Sequence, residues 1–230
     1  MTAARKAAGA AAAVLWIVFG ITAVILWMAG DGKLLASDMA RFAPPEESGL
    51  PAAEYAGVGD MTARYLTGAA ERFQYEYTDE DGRKVTCFHD YEEAHMADCR
   101  GLIRLDKTVM WVSLGAALIL TGLGRFAGGR RDAFFRGMLI GMRLIGAVLA
   151  ALLVWALADF DGLFVTFHKT AFTNDGWLLN PRTDLLIRLM PQEFFISLGI
   201  RGAMRALAAP IALEIAARIG IHRAGSREDR

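Results

Sequence analysis

The sequence predicts an all-α polytopic membrane protein: four transmembrane helices with a small extracytoplasmic α+β cap containing a β-hairpin. Three observations carry this. Hydrophobic residues make up 54% of the 230, and they are gathered into long blocks instead of being spread with helical or strand periodicity. The blocks approach or exceed the length needed to cross a bilayer. The connections on one side of them are rich in arginine, as inner connections of membrane proteins are. The formal net charge is zero and 22% of residues are charged, so no overall field points towards nucleic acid, and no nucleic-acid partner is expected. The chain reads as one membrane domain over residues 1–230.

The first span, about 8–30, lies in the charge-free block from Ala7 to Gly30 and follows Arg5 and Lys6; it exceeds the roughly 20 residues a helix needs. A basic start before an apolar run also fits a signal peptide with Ala-x-Ala-like sites, but the run is longer than the usual core of about 7 to 15 residues. The second span, 108–124, lies between Lys107 and Arg125. The third, 137–158, carries only Arg143, near enough to one end to snorkel. The fourth, 194–217, contains Arg201, Arg205 and Glu214, each of which costs about 2.5 to 3.5 kcal/mol at the centre of an isolated span.

Orientation follows from charge. Arg125, Arg130, Arg131 and Arg136 join the second span to the third, and Arg218, Arg223, Arg227 and Arg230 follow the fourth; both segments are expected on the cytoplasmic side. An even number of spans returns the amino terminus, with Arg5 and Lys6, to that side. Segments 31–107 and 159–193 are then extracytoplasmic.

The first outer segment opens with Pro44, Pro45 and Pro51, where helix is not expected, and continues with a helical pattern from Ala52 to Ala70. Phe73, Tyr75 and Tyr77 alternate with polar residues, Asp79 to Gly82 supplies a turn, and Val85 to Phe88 returns, a β-hairpin. Asp90 to Asp106 reads as a helix leading into the second span. Residues three or four apart share its face, which places Glu92, His95 and either Asp98 or Cys99 together. In the second outer segment, Phe164 to Pro181 is neither a hydrophilic linker nor a clean span; its aromatic residues suit the headgroup level, and Thr173 to Gly176 has the composition of a turn.

His95 and His168 therefore fall on one membrane face. Beside His95, Glu92 and Asp98 are carboxylates able to fix an imidazole tautomer. His89 and His222 read as surface hydrogen-bonding residues, and Trp177 and Phe172 as anchors or packing. Arg201 and Arg205, four apart, can pair with an acidic residue or a helix carbonyl as readily as with a ligand. Cys87 and Cys99 lie where a disulfide is chemically permitted; the spacing does not decide whether they pair. His95, Asp98 and His168 could also ligate zinc and make a membrane hydrolase, though no HExxH motif is present. A non-catalytic membrane protein binding lipid or a partner is the third reading.

At these residues the chain resembles the lipoprotein intramolecular transacylase family of bacterial membrane proteins. The resemblance is carried by Glu92-Glu93-Ala94-His95-Met96-Ala97-Asp98, and by Phe167-His168, Phe172, Asn174-Asp175, Trp177, Pro181, Asp184 and Pro191-Gln192-Glu193-Phe194-Phe195. Cys99 stands where the family pattern leads one to expect an aliphatic residue. The resemblance implies a bacterial cytoplasmic membrane location and a diacylglyceryl-modified lipoprotein substrate presented among membrane lipid. It further implies transfer of the sn-2 acyl chain to the α-amino group of the same cysteine, giving the lyso form with no cofactor and no metal. His95 and His168 are then the catalytic pair. Glu92 and Asp98 are expected to orient His95, Asn174 to donate near the carbonyl, and Asp175, Trp177 and Arg201 to contribute to positioning or substrate binding.

Overall fold

The computed structural model describes residues 2–126 and 131–228; Arg130 and Arg230, two of the arginines used for orientation, lie outside them. The chain divides into two compact units, one formed by the residues up to Val24, Lys107–Val165 and those from Ala203 onwards, the other by Ile25–Asp106 and Thr166–Gly202.

Three helices among the described residues are long and apolar enough to cross a membrane: α1 (Thr2–Ala29), α5 (Asp90–Phe126) as far as Arg125, and α6 (Arg131–Ala158). In the first unit, α1 and α6 approach backbone to backbone. A Cβ on Gly137 would lie 2.0 Å from Lys6 O, and one on Gly141 would lie 2.3 Å from Ala10 O, so this glycine pair, four residues apart, acts as the small-residue seam by which apolar helices pack. Ala12, Ala13, Phe134, Met138 and Ala217 are buried around it. Trp16 Nε1 donates to Thr121 Oγ1 at 3.1 Å, satisfying an indole that apolar surroundings would otherwise strand.

The expected fourth span over 194–217 falls instead on two helices, α9 (Gln192–Ala206) and α10 (Ala208–Glu228). Pro210 has no N–H to offer the carbonyl of Ala206 and its ring crowds that turn, so the helix is interrupted at Leu207, with Leu207 N and Ile211 N still bonded to Ala203 O and Leu207 O.

The second unit holds the cap. Asp31 caps α2 (Gly32–Phe42) by accepting from Leu34 N. Around the prolines, where no helix was expected, one turn forms, α3 (Pro45–Ser48); proline is tolerated at a first helical position because no carbonyl there awaits its N–H. A short 3₁₀ turn, Ala52–Glu54, leads into α4 (Tyr55–Thr67), so the helical pattern expected from Ala52 ends at Gly68, whose φ of 92° terminates it. Strands β1 (Glu76–Thr78) and β2 (Lys84–Thr86) pair antiparallel with Tyr77 opposite Val85. The hairpin is shorter than its alternating pattern because Phe73 and Phe88 turn inward; they are 0% and 3% exposed with ring centroids 4.6 Å apart. These rings join Met39, Leu50, Val58, Met96, Leu189 and others in the core of this unit. Helices α7 (Phe160–Ala171) and α8 (Leu185–Leu189) complete the fold.

Candidate active site

Helix α5 begins where Glu92 reaches back to accept from the backbone amide of His89 at 2.8 Å, the glutamate half of a capping box. Its other oxygen accepts from Leu186 N, in α8, also at 2.8 Å. The side chain is 0% exposed. Glu92, expected to orient His95, thus has both oxygens engaged by backbone, and what it holds is the start of α5 against α8. A carboxylate buried this completely needs strong donors, and main-chain amides supply them.

Next to this junction, Asp184 accepts from Tyr91 Oη and Thr183 Oγ1 at 2.6 Å each and from Asn180 N at 2.7 Å. Burial pushes its carboxyl upward, but the bonds from Thr183, Tyr91 and the Asn180 amide outweigh that and hold it below the usual range. The same contact drives the Tyr91 phenol up to about 12, since losing its proton beside a carboxylate is unfavourable. His89 stacks on Tyr91 at 5.2 Å. Glu92 and Asp184 together tie residues 180–186 to the first turn of α5.

One turn along α5 from Glu92 stands His95, and in the last turn of α7 stands His168. Each is 8% exposed, and their ring centroids are 6.2 Å apart. Phe172 lies 5.3 Å from His95 and 5.4 Å from His168, and Trp177 lies 5.0 Å from His168. The two imidazoles therefore share an aromatic enclosure. His95 lies thirteen residues before the start of the apolar stretch at Thr108. Burial, and then the neighbouring His168, hold its pKa below the ordinary histidine value, against a smaller upward pull from Asp98.

Asp98, also expected to orient His95, instead accepts from Asn174 Nδ2 at 2.9 Å, and Asn174 Oδ1 accepts from Gly176 N. Asn174 therefore joins α5 to the loop after α7 and closes an Asx turn that carries Trp177 towards His168. Asp175 is exposed, and its carbonyl accepts from Leu178 N. Among the described residues, the side chain at hydrogen-bonding distance from the His95 ring is Cys99, with Sγ 3.6 Å from Nε2; of the two candidates for that helix face, it is the i+4 residue. Cys99 and Cys87 are free thiols. Arg201 donates to Asp38 Oδ1 at 2.9 Å, and Ser197 Oγ donates to Asp38 Oδ2 at 3.0 Å. The sequence reading missed Asp38. Its signal was an acidic residue among Leu34, Leu35 and Met39, on the buried side of α2, where a charge demands a partner.

Among the described residues no three of histidine, cysteine, aspartate and glutamate come together as a metal site, and Asp98 with the two histidines does not form the donor set that zinc would require.

The model of the family described as lipoprotein intramolecular transacylase Lit matches residues 10–195. Among solved structures, the membrane-integral lipoprotein intramolecular transacylase Lit of Bacillus cereus aligns with a TM-score of 0.70 at 18% identity, covering 95% of each chain. A variant of that protein with a histidine replaced by arginine aligns with a TM-score of 0.68 at 20% identity, covering 96% of this chain and 93% of the other. No curated protein sequence matches significantly. The family match over most of the chain, joined to the shared fold, means that this chain belongs to the lipoprotein intramolecular transacylase family of membrane acyltransferases.

Proposed function

We propose that the protein moves the sn-2 acyl chain of an S-diacylglyceryl cysteine to the α-amino group of that same cysteine, leaving a lyso-form lipoprotein. The observation that carries this reading is the convergence of two buried histidines, 6.2 Å apart, within an enclosure of Phe172 and Trp177. Donor and acceptor belong to one substrate molecule, so holding them together supplies much of the rate.

The chemistry left to side chains is small. The α-ammonium group, with a reference pKa of about 7.7 to 8.0, must give up a proton. Its nitrogen then attacks the ester carbon, the carbonyl pair moves to oxygen, and the tetrahedral oxyanion needs a donor. The nitrogen gives up its second proton, and collapse breaks the bond to the glyceryl oxygen, which takes up that proton as it leaves. An amide forms as an ester breaks, with no external acyl donor. Imidazole serves these steps because it exchanges protons near neutral pH.

The site is placed on the extracytoplasmic face, with both termini cytoplasmic, and the pair α9 and α10 is read as the fourth crossing. The basic residues around Arg125 to Arg136 and Arg218 to Arg223 support this orientation. The membrane is then both the site of the enzyme and the source of its lipoprotein substrate.

The test is mass spectrometry of the amino-terminal lipopeptide after expression in a bacterial host lacking its own N-acylating enzyme. The wild type is expected to yield the lyso form, and His95→Ala or His168→Ala to leave the diacylglyceryl form. Lyso product from either variant at wild-type levels would remove the proposed pair.

A further inference from the structure

His95 has an unusual set of neighbours for a histidine in a catalytic pair. Its Nε2 lies 3.6 Å from Cys99 Sγ, and its Nδ1 is buried with no hydrogen-bond partner among the described residues. Both nearby carboxylates are committed elsewhere, Glu92 to two backbone amides and Asp98 to Asn174. The partner that orients the ring is thus a thiol on the next turn of the same helix.

Building on the transacylase reading above, we propose that Cys99 is a positioning residue that sets the tautomer of His95. Its S–H donates to Nε2, the ring proton resides on Nδ1, and His95 acts as a neutral N–H donor to the ester carbonyl oxygen while His168 carries the proton. Sulfur is a poor acceptor, whereas an imidazole lone pair is a good one, so the favourable direction of this contact is S–H to nitrogen. Burial, and then Asp98, push the Cys99 thiol up to about 12, so it keeps the proton it donates. A carboxylate at Nε2 would favour the imidazolium and with it a base; an uncharged thiol does not. The burial that holds the His95 pKa down has the same effect, and a neutral histidine polarising a carbonyl is an established use of a lowered imidazole pKa.

The α-ammonium group first gives one proton to water; in the step itself, His168 takes a second proton from the nitrogen as it attacks. The N–C bond forms while the carbonyl pair becomes an oxyanion, hydrogen-bonded by Nδ1–H of His95. As the C–O bond to glycerol breaks, His168 returns its proton to the departing oxygen. Neither histidine nor Cys99 is changed at the end.

The tautomer can be read without turnover. In ¹⁵N-histidine-labelled protein in lipid nanodiscs at neutral pH, long-range ¹H–¹⁵N spectra, with His95 assigned by its loss in His95→Gln, are expected to show the proton on Nδ1. Cys99→Val removes the donor at similar volume and is expected to move the proton to Nε2. Because only the minority Nδ1–H form then remains competent, kcat should fall about tenfold with KM unchanged. Cys99→Ser keeps a donor and should retain the wild-type tautomer and nearly all of kcat. A wild-type His95 protonated on Nε2, or a Cys99→Val protein that keeps the Nδ1 proton and full kcat, overturns the proposal. Absence of acyl transfer by the wild type would count against the reaction while the spectra still judged the part played by Cys99.

Discussion

Replacing Glu92 with alanine should cost the protein far more than loss of a surface charge. Its carboxylate is 0% exposed and accepts two main-chain bonds, from His89 and Leu186, both at 2.8 Å. Hydrogen bonds to charged groups contribute about 1.5 to 3 kcal/mol each, and a buried donor left without a partner loses a similar amount. Two stranded amides give an upper range of about 3 to 6 kcal/mol, which water entering the vacated volume reduces to about 3 to 4 kcal/mol. At about 2 to 4 °C per kcal/mol for a chain of this size, the Tm should fall by about 10 °C. Glu92→Gln keeps one acceptor and sets an NH₂ against the other amide, so about half of that loss is expected. Circular dichroism at 222 nm during heating in nanodiscs measures both. A Glu92→Ala protein melting within about 2 °C of the wild type would refute the view that this carboxylate anchors α5 to α8.

Two further predictions concern the helix seam and pH. Gly137→Ala would drive a Cβ to 2.0 Å from Lys6 O, so α1 and α6 must part and about 1 to 3 kcal/mol should be lost; Gly101→Ala, with nothing within 4 Å, should be neutral or stabilising by up to about 1 kcal/mol. Equal melting temperatures for the two variants would mean that α1 and α6 do not pack here. His95 has a pKa below its unfolded value, so the unfolded chain takes up a proton that the folded one resists. Its contribution is complete above the unfolded value of about 6.5 and is lost as pH falls through the folded value. The melting temperature should therefore drop on acidification from pH 7.5 to 5.5, and less steeply in His95→Gln; an unchanged slope in the variant would show that this histidine does not titrate differently on folding.

Much of the fold was legible because membrane spans and helix faces are local properties. A charge-free block such as Ala7 to Gly30 needs no partner to declare itself, and the 3.6-residue repeat places Glu92, His95 and either Asp98 or Cys99 on one side of α5 without any knowledge of contacts. The hairpin was legible for the same reason, since alternation and a turn of Asp and Gly are short-range signals. The fourth span was read as continuous because hydropathy averages over Pro210, whereas a single missing N–H is enough to divide the helix.

Sequence by itself determined the apolar helices, the hairpin and the candidacy of His95 and His168; the tertiary structure alone decided which polar groups meet. Asp98, placed beside His95 by helical spacing, bonds Asn174, and Glu92 bonds Leu186 across a long stretch of chain. Spacing says which side chains share a face. It does not say which donor from a distant segment will claim a buried carboxylate, and since such a group must be satisfied, that long-range claim left a thiol as the neighbour of His95.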